Sequence, residues 1–441
     1  MGGYVALRNR MTSLLLPVKL AGRCVTVMTI LATTALTHAP RWAYLLSVGR
    51  MGDANFCLGE GIARSLERLG PVFLKMGQMV SNRIDLLPTD LLRPLRRIQD
   101  QVSPEQFEIS RATLERSLDL EIAGLFLSLE AEPVAAGSIA TIYRAKRHDG
   151  REVAVKIVRR DVSRILESDL LIGSWLARVL ARFGWFRAIP VAECYREIEA
   201  LFRAQLDMKR EASNLEAMRN DSFIHRHVRI PQVHWDLVDS NVLVMEYVGD
   251  ALNISDNRIA IEAYRRSAQS ILAVLYRMAF ETGSVHCDMH PGNILLDGGG
   301  QVWLLDGGFF AHLSERDRTS FQDLFLGLSF AEPARCCDGL IRSAIAVPQY
   351  LDRVELNRDV DCLLSKHHGK NAGSFLVAAF VFDLFMLQRR HGLYARSGFI
   401  AAIWAFVTFE GIVRDRFPEL DFQGEAKPFV VSGIIRSIRG R

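Results

Sequence analysis

This chain of 441 residues has no C-x-x-C pair, no Asp or Glu in its first 50 residues and no internal repeat or low-complexity linker. It also has no uninterrupted apolar run of the roughly 18–20 residues that a membrane-spanning helix needs. The first absence bears on redox chemistry. Seven cysteines are present, but a chain of this length builds its core without a disulfide framework, so they read as reduced thiols in a cytosolic compartment. Cys336 and Cys337 are adjacent and read as buried rather than bonded. The second absence makes the N-terminus basic: Arg8, Arg10, Lys19, Arg23, Arg41 and Arg50 are unopposed there, and the remainder of a chain of net charge +4 is therefore slightly acidic. The apolar stretch 24–36, "CVTVMTILATTAL", is short and Thr-rich. Lying in a membrane interface beside anionic lipid is one reading; an ordinary packed helix with a basic side is another, and a transit peptide is a third for a eukaryotic source. Two later runs, 374–387 and 397–409, fall below spanning length, and the first carries Asp383. They read as buried helices of a C-terminal lobe in preference to a membrane hairpin. The terminal stretch 427–441 is again basic. Nothing points to a redox metal, a covalent nucleophile or nucleic-acid readout.

What is present is a globular composition, 49% hydrophobic and 24% charged, ample for a large core divided between two lobes. The segments "SIATIYRAKR" and "REVAVKIV" are β-branched and flank "HDG" (148–150), a hairpin signal. Helical periodicity follows over about Ser163–Phe183 and Val191–Arg219. A short buried strand is expected in "NVLVMEYVGD" (241–250), and further short strands near 293–297 and 302–306 interrupt a mostly helical remainder. The fold class is α+β: a small β-rich lobe, then a larger helical lobe, joined near Val248.

The chemistry lies past that join, in "VHCDMHPGNILLDGGGQVWLLDGG" (285–308). Asp288 and Asn293 are five apart on a Pro-Gly loop, and Asp306 ends a strand thirteen residues after Asn293. Phosphoryl transfer from Mg-ATP requires such a set: one carboxylate to orient the attacking hydroxyl or water, and an amide and a second carboxylate to hold Mg²⁺ against the phosphates. The spacing matches the H-x-D-x-x-x-x-N and D-F-G elements of kinases, with His290 where protein kinases usually carry Lys. A lone H-x-D is more often a solvated turn, but further elements fall in kinase order. Lys156 in "VAVK" is placed to reach the α- and β-phosphates. Glu211 stands 55 residues later on a helical segment, as a partner for it. "MEYV" (245–248) resembles a hinge in which the backbone of Glu246 and Val248 bonds adenine. The glycine-rich loop is lacking: "PVAAGSIATIYRA" (133–145) puts Ala135 and Ala136 where glycines would let backbone approach phosphate, leaving Gly137 as a permissive site and Ser138 as a hydroxyl.

These residues resemble the UbiB (AarF) family of atypical kinase-like proteins, over about Leu69–Gly308. The specific marks are "LGPVFLKMGQMVSNRIDLLP" (69–88), "IQDQVSP" (98–104), "AAGS" (135–138), "QLDMKREASN" (205–214) and "HCDMHPGN" (286–293). The resemblance implies a bilobal protein-kinase-like fold, with the helical K-x-G-Q extension packed across the active site so that Lys75 and Gln78 project into the nucleotide pocket. It implies an N-terminal segment 1–65, the extension 66–104, an N-lobe 105–248 and a C-lobe 249–441. It also supplies the link to isoprenoid quinone (ubiquinone) biosynthesis, and hence the expected partners: ATP, anionic membrane lipid, a lipid or quinone precursor and other biosynthetic proteins. The site expected is a cytoplasmic one, peripheral on the inner membrane, mitochondrial in a eukaryote. Three departures stand out. Gln205 replaces the Glu of the family's E-x-D, which weakens the expected metal site. Asp306-Gly307-Gly308 replaces D-F-G and is expected to leave the loop more mobile, and Gly137 replaces an Ala.

The resulting expectation is a membrane-associated atypical kinase or ATPase with ATP and Mg²⁺ as cofactors. Lys156, Glu211 and Asp288 are its catalytic set, and Asn293 and Asp306 its metal ligands. Lys75, Gln78, Ala135, Ala136, Gly137, Ser138, Glu246 and Val248 line the nucleotide site. Two alternatives stay open: a small-molecule phosphotransferase of the aminoglycoside or choline kinase type, and a non-catalytic ATP-binding scaffold.

Overall fold

The computed structural model describes residues 2–81, 87–95, 105–182, 191–368, 375–414 and 416–439. Packing divides the chain into two units: Met1–Glu105 with Ala136–Ala140 and Val158–Glu199, and Gln106–Ala135 with Thr141–Ile157 and Ala200–Arg441.

The first unit is helical. Its first helix is continuous over Gly2–Ser47, far beyond the short apolar stretch that composition singles out, and it runs through Pro17 and Pro40. The part Leu20–Ser47 is long and apolar enough to cross a membrane by length and composition. It is nonetheless tied into the unit: Val27 and Ile30 are buried with Leu69, Phe73 and Ile172, and Arg23 donates to Asp169 at 2.6 and 2.8 Å. Asp169 is fully buried, so the guanidinium answers a charge that water does not reach. The helices Met51–Leu69 and Thr89–Leu95 cross closely, since a Cβ on Gly59 would lie 2.2 Å from the Leu91 carbonyl oxygen.

The second unit holds a four-stranded sheet in the order β1 (Ser128–Ala136), β2 (Ala140–Lys146), β3 (Glu152–Val158) and β4 (Val242–Glu246). The β2–β3 hairpin turns where expected: Gly150 has φ +87°, a conformation that glycine adopts without strain, and Arg147 and Arg151 close the ladder at 2.8 Å. Under the sheet lie Leu114, Phe126, Tyr143, Val155 and Val244, all buried. The single helix expected over Val191–Arg219 is instead two, Val191–Gln205 and Met208–Asn220. The reason is local: the Asp207 carboxylate accepts from the Lys209 and Arg210 amides at 3.0 and 3.4 Å, capping a new helix. After β4 come β5 (Ala251–Asn253), β6 (Ser284–His286), β7 (Ile294–Asp297), β8 (Val302–Leu304) and β9 (Phe310–His312) in small antiparallel sheets, then helices. The two late apolar runs are the helices Val377–Arg390 and Ser397–Val413; the second is buried over most of its length as expected, whereas the first leaves Phe382 and Met386 exposed. Asp383 meets Lys366 at 2.6 Å and His367 at 2.8 Å.

Candidate active site

β3 is rich in β-branched residues and, past the exposed Glu152, buried on both faces except at Lys156, which sits in register with Leu243 of β4. On the helix Met208–Asn220 the buried stripe is Met208, Glu211, Ala212, Leu215 and Met218, so a carboxylate occupies a position that helical period assigns to the core. Glu211 is tolerated there because Lys156 Nζ donates to its two oxygens at 2.7 and 2.9 Å. The same ammonium donates to Asp306 Oδ2 at 2.9 Å. Three residues separated by up to 150 positions thus form one cluster of net charge −1 when all are ionised.

Burial and charge set its protonation. Burial disfavours the Lys156 ammonium, but the Asp306 and Glu211 carboxylates outweigh it and hold its pKa above the ordinary value. Burial also penalises ionised Asp306, yet Lys156 and then His286 hold it well below the usual carboxylate range. Glu211, buried most deeply, is raised to about 7 by desolvation despite Lys156, with Asp306 adding to the rise. Lys156 is therefore charged, Asp306 ionised, and Glu211 the member nearest to neutral.

The loop after β6 brings Asp288 and Asn293 together: Asn293 Nδ2 donates to the Asp288 carbonyl at 3.0 Å, and the amide oxygen of Asn293, which accepts from none of the described residues, can act as a ligand. His286, whose part sequence reasoning missed, joins this loop to the Asp306 segment. The Asp288 amide donates to His286 Nδ1 at 3.1 Å. The proton must then sit on Nε2, which lies 2.7 Å from the Asp306 carbonyl oxygen and donates to it. The ring is buried, and desolvation lowers its pKa even against Asp306 and Asp288, so it is neutral.

Asn214 was also missed, although its place one turn after Glu211 is a readable signal. Its Nδ2 donates to the Gly307 carbonyl at 2.8 Å. A Cβ on Gly307 would lie 2.9 Å from both the Glu211 carbonyl oxygen and Leu215 Cγ. The missing D-F-G ring is therefore replaced by direct backbone packing, and Asp306 Oδ1 accepts from the Gly308 amide at 2.6 Å. These contacts anchor the segment that the missing ring would otherwise hold.

At the hinge, Glu246 is in register with Val153, and its amide is spent on the Gln232 carbonyl at 2.8 Å. Val248 takes part in none of the backbone bonds of the described residues. Ala135 and Ala136 end β1, so they belong to a strand rather than a loop; the turn itself is closed by the Gly137 amide on the Ala140 carbonyl at 2.9 Å. Gly137 does not have a positive φ, so the turn does not need glycine's freedom. Ser138 is buried. Lys75 and Gly77 lie on the helix Pro71–Ser81 of the first unit, Lys75 half-buried. The side chain of Gln78 and the segment 98–104 lie outside the described residues. Gln205 is buried, and its Oε1 has no hydrogen-bond partner among the described residues.

No cluster of three or more His, Cys, Asp or Glu side chains that could hold a metal occurs among the described residues. The oxygen donors of Asp306 and Asn293 fit Mg²⁺, a hard cation that keeps part of its shell for water and phosphate.

Residues 97–338, more than half of the chain, match the ABC1 atypical kinase-like domain. "Probable protein kinase UbiB" of Aeromonas hydrophila subsp. hydrophila is 29% identical over 86% of this chain and 71% of its own. The protein of that name in Aliivibrio fischeri is 27% identical over the same shares. Among solved structures, the Rv3197–erythromycin complex from Mycobacterium tuberculosis aligns with 78% of this chain and 91% of its own, at a TM-score of 0.44 and 18% identity. The chain thus carries a kinase-like domain and is a member of the ABC1 atypical kinase-like family, the UbiB/AarF group of proteins.

Proposed function

We propose that this protein transfers or releases the terminal phosphoryl group of Mg-ATP and supports isoprenoid quinone biosynthesis from a membrane surface. The observation that carries the reading is the Lys156–Glu211–Asp306 cluster, joined through His286 to the loop of Asp288 and Asn293. Lys156 donates to phosphate oxygens, with Glu211 holding it in place. Asp306 and Asn293 hold Mg²⁺, which when bound neutralises charge developing on the phosphates. Asp306 Oδ2, which accepts from Lys156 at 2.9 Å, and the amide oxygen of Asn293 would be the protein oxygens offered to the metal. Asp288 orients the attacking hydroxyl or water. Adenine bonds the hinge backbone of Glu246 and Val248. The quinone link rests on family membership and on the UbiB name of the relatives. The membrane link rests on Leu20–Ser47, where Val25, Met28, Leu36 and Tyr44 are exposed while Arg23, Val27 and Ile30 are held by the unit, an arrangement that suits lying on a bilayer.

The test is Mg²⁺-dependent phosphate release from ATP by the purified protein, with and without anionic liposomes, beside Asp288→Asn and Asp306→Ala. Turnover abolished by both substitutions supports the proposal. A second reading, an ATP-binding scaffold, is favoured by the unpartnered Oε1 of Gln205 at the family's acidic position. Under it ATP binds, no phosphate is released even with lipid, and Gln205→Glu is the substitution that would restore turnover.

A further inference from the structure

The helical half of the second unit forms a half-open cavity of about 110 Å³, far from polar in its lining. Its walls include Tyr276, Phe280, Phe325, Phe380 and Phe406, and it shares no residue with the Lys156 cluster. Two features distinguish it from a packing defect. The first is Gln423, the one side-chain amide on its wall, whose Nε2 is buried and without a hydrogen-bond partner among the described residues. A buried amide donor left unpaired is destabilising, and native proteins leave few of them without a reason. Tyr276 does not compensate: its hydroxyl donates to the Phe422 carbonyl at 2.5 Å and makes no hydrogen bond with Gln423 Nε2. The second is the backbone that forms the wall: Phe280 lies in a π-helical turn, Arg277–Thr282, a rare geometry that is enriched at functional sites.

We propose that this cavity is a second binding site, for a small uncharged molecule with a ring or short branched apolar body and one carbonyl-type oxygen that accepts from Gln423 Nε2. Size, lining and donor argue for it together. The space is of the same order as the roughly 150 Å³ engineered cavity that takes up benzene, so a single ring fits and a long chain does not. Aromatic walls favour an apolar body over water. A carboxylate is excluded, because no cation lines the site to offset its desolvation.

The experiment uses the full-length protein with acetophenone and ethylbenzene, probes of similar shape that differ in the carbonyl, and reads saturable binding by ligand-observed NMR. Acetophenone is expected to bind about five-fold tighter, the net worth of one hydrogen bond. Gln423→Leu should remove that preference while retaining ethylbenzene. Leu384→Phe, which adds volume on the wall, should abolish binding of both; Ile403→Phe serves the same purpose if the first variant does not fold. Retention of ATP binding shows that each variant is intact. Absence of binding by either probe, a preference that survives Gln423→Leu, or binding that survives the filled cavity would each overturn the proposal.

Discussion

Replacing Gly307 by alanine adds one methyl group at a place where the structure has no room for it. The added carbon would stand 2.9 Å from the carbonyl oxygen of Glu211, 2.9 Å from Leu215 Cγ and 3.3 Å from Leu215 Cδ2. The first of these is helix backbone and the others belong to a fully buried side chain, so no flexible surface group absorbs the contact. Overpacking of this kind costs about 1–3 kcal/mol. At roughly 2–4 °C per kcal/mol for a domain of 150–250 residues, a melt of the purified protein should fall by several degrees. The substitution also acts on chemistry. Relief requires the Asp306–Gly308 segment to move off the helix, which lengthens the Asn214–Gly307 bond of 2.8 Å and draws Asp306 away from Lys156. ATP affinity in the presence of Mg²⁺ should weaken together with the melt. Gly298→Ala is the control, since a Cβ there meets nothing within 4 Å and the backbone is not in a left-handed conformation; it should melt with the wild type, within about 0.5 kcal/mol. A Gly307→Ala protein that also melts with the wild type would refute the claim that backbone packing has taken over the work of the missing ring.

Lys156→Met leaves two carboxylates in the cluster without their cation. A buried pair broken on one side loses about 3–5 kcal/mol. Glu211 is already raised to about 7, so the folded protein binds a proton there that the unfolded chain releases at ordinary carboxylate pH. Its contribution is therefore fully present at low pH and lost as pH rises through 7, and in the variant the loss deepens. Denaturant unfolding should show a larger defect at pH 8 than at pH 5.5; an equal defect at both would argue against the coupled site. Glu410 is a purely structural carboxylate: buried, it accepts from the Val377 and Ala378 amides at 2.9 Å each and so caps the helix Val377–Arg390 from a neighbouring one. Glu410→Ala should cost about 1–3 kcal/mol by thermal melting, with Glu410→Gln retaining part of the cap. At the N-terminus, deletion of residues 1–50 would remove Arg23 and strand the buried Asp169, so the cleaner perturbation is Val25→Ser with Met28→Ser and Leu36→Ser. Co-sedimentation with anionic liposomes should drop while the melt is kept, and unchanged sedimentation would count against this helix as the membrane contact.

The loop proposed to carry the chemistry was legible because its own geometry imposes the spacing of Asp288 and Asn293. Asp288 and Asn293 must bracket a Pro-Gly turn for the amide of one to reach the carbonyl of the other, and any chain with that turn shows the interval of five. The β2–β3 hairpin was legible for a similar reason: Gly150 announces a positive φ, and the flanking runs have a strand's composition. Contacts made across long separations leave no such local trace; Glu211 was legible as a partner for Lys156 only from the order of the kinase-like elements. Nothing in the period of Met208–Asn220 distinguishes a Glu at a core position that is paired from one that merely faces water, and only the arrival of Lys156 from β3 decides between them. The break at Asp207 lay in plain view as an N-cap residue, but the apolar period runs through it, and periodicity is the stronger signal over a long window. Gly307 teaches the opposite lesson. Loss of an aromatic ring reads, in sequence, as loss of packing. In three dimensions the space left by the ring is closed by the helix backbone at Glu211 and by Leu215, and Asn214 takes over the task of fixing the segment. The same substitution that removed a side chain thus made the position intolerant of one, and a departure from a family motif carries no sign until the atoms around it are known.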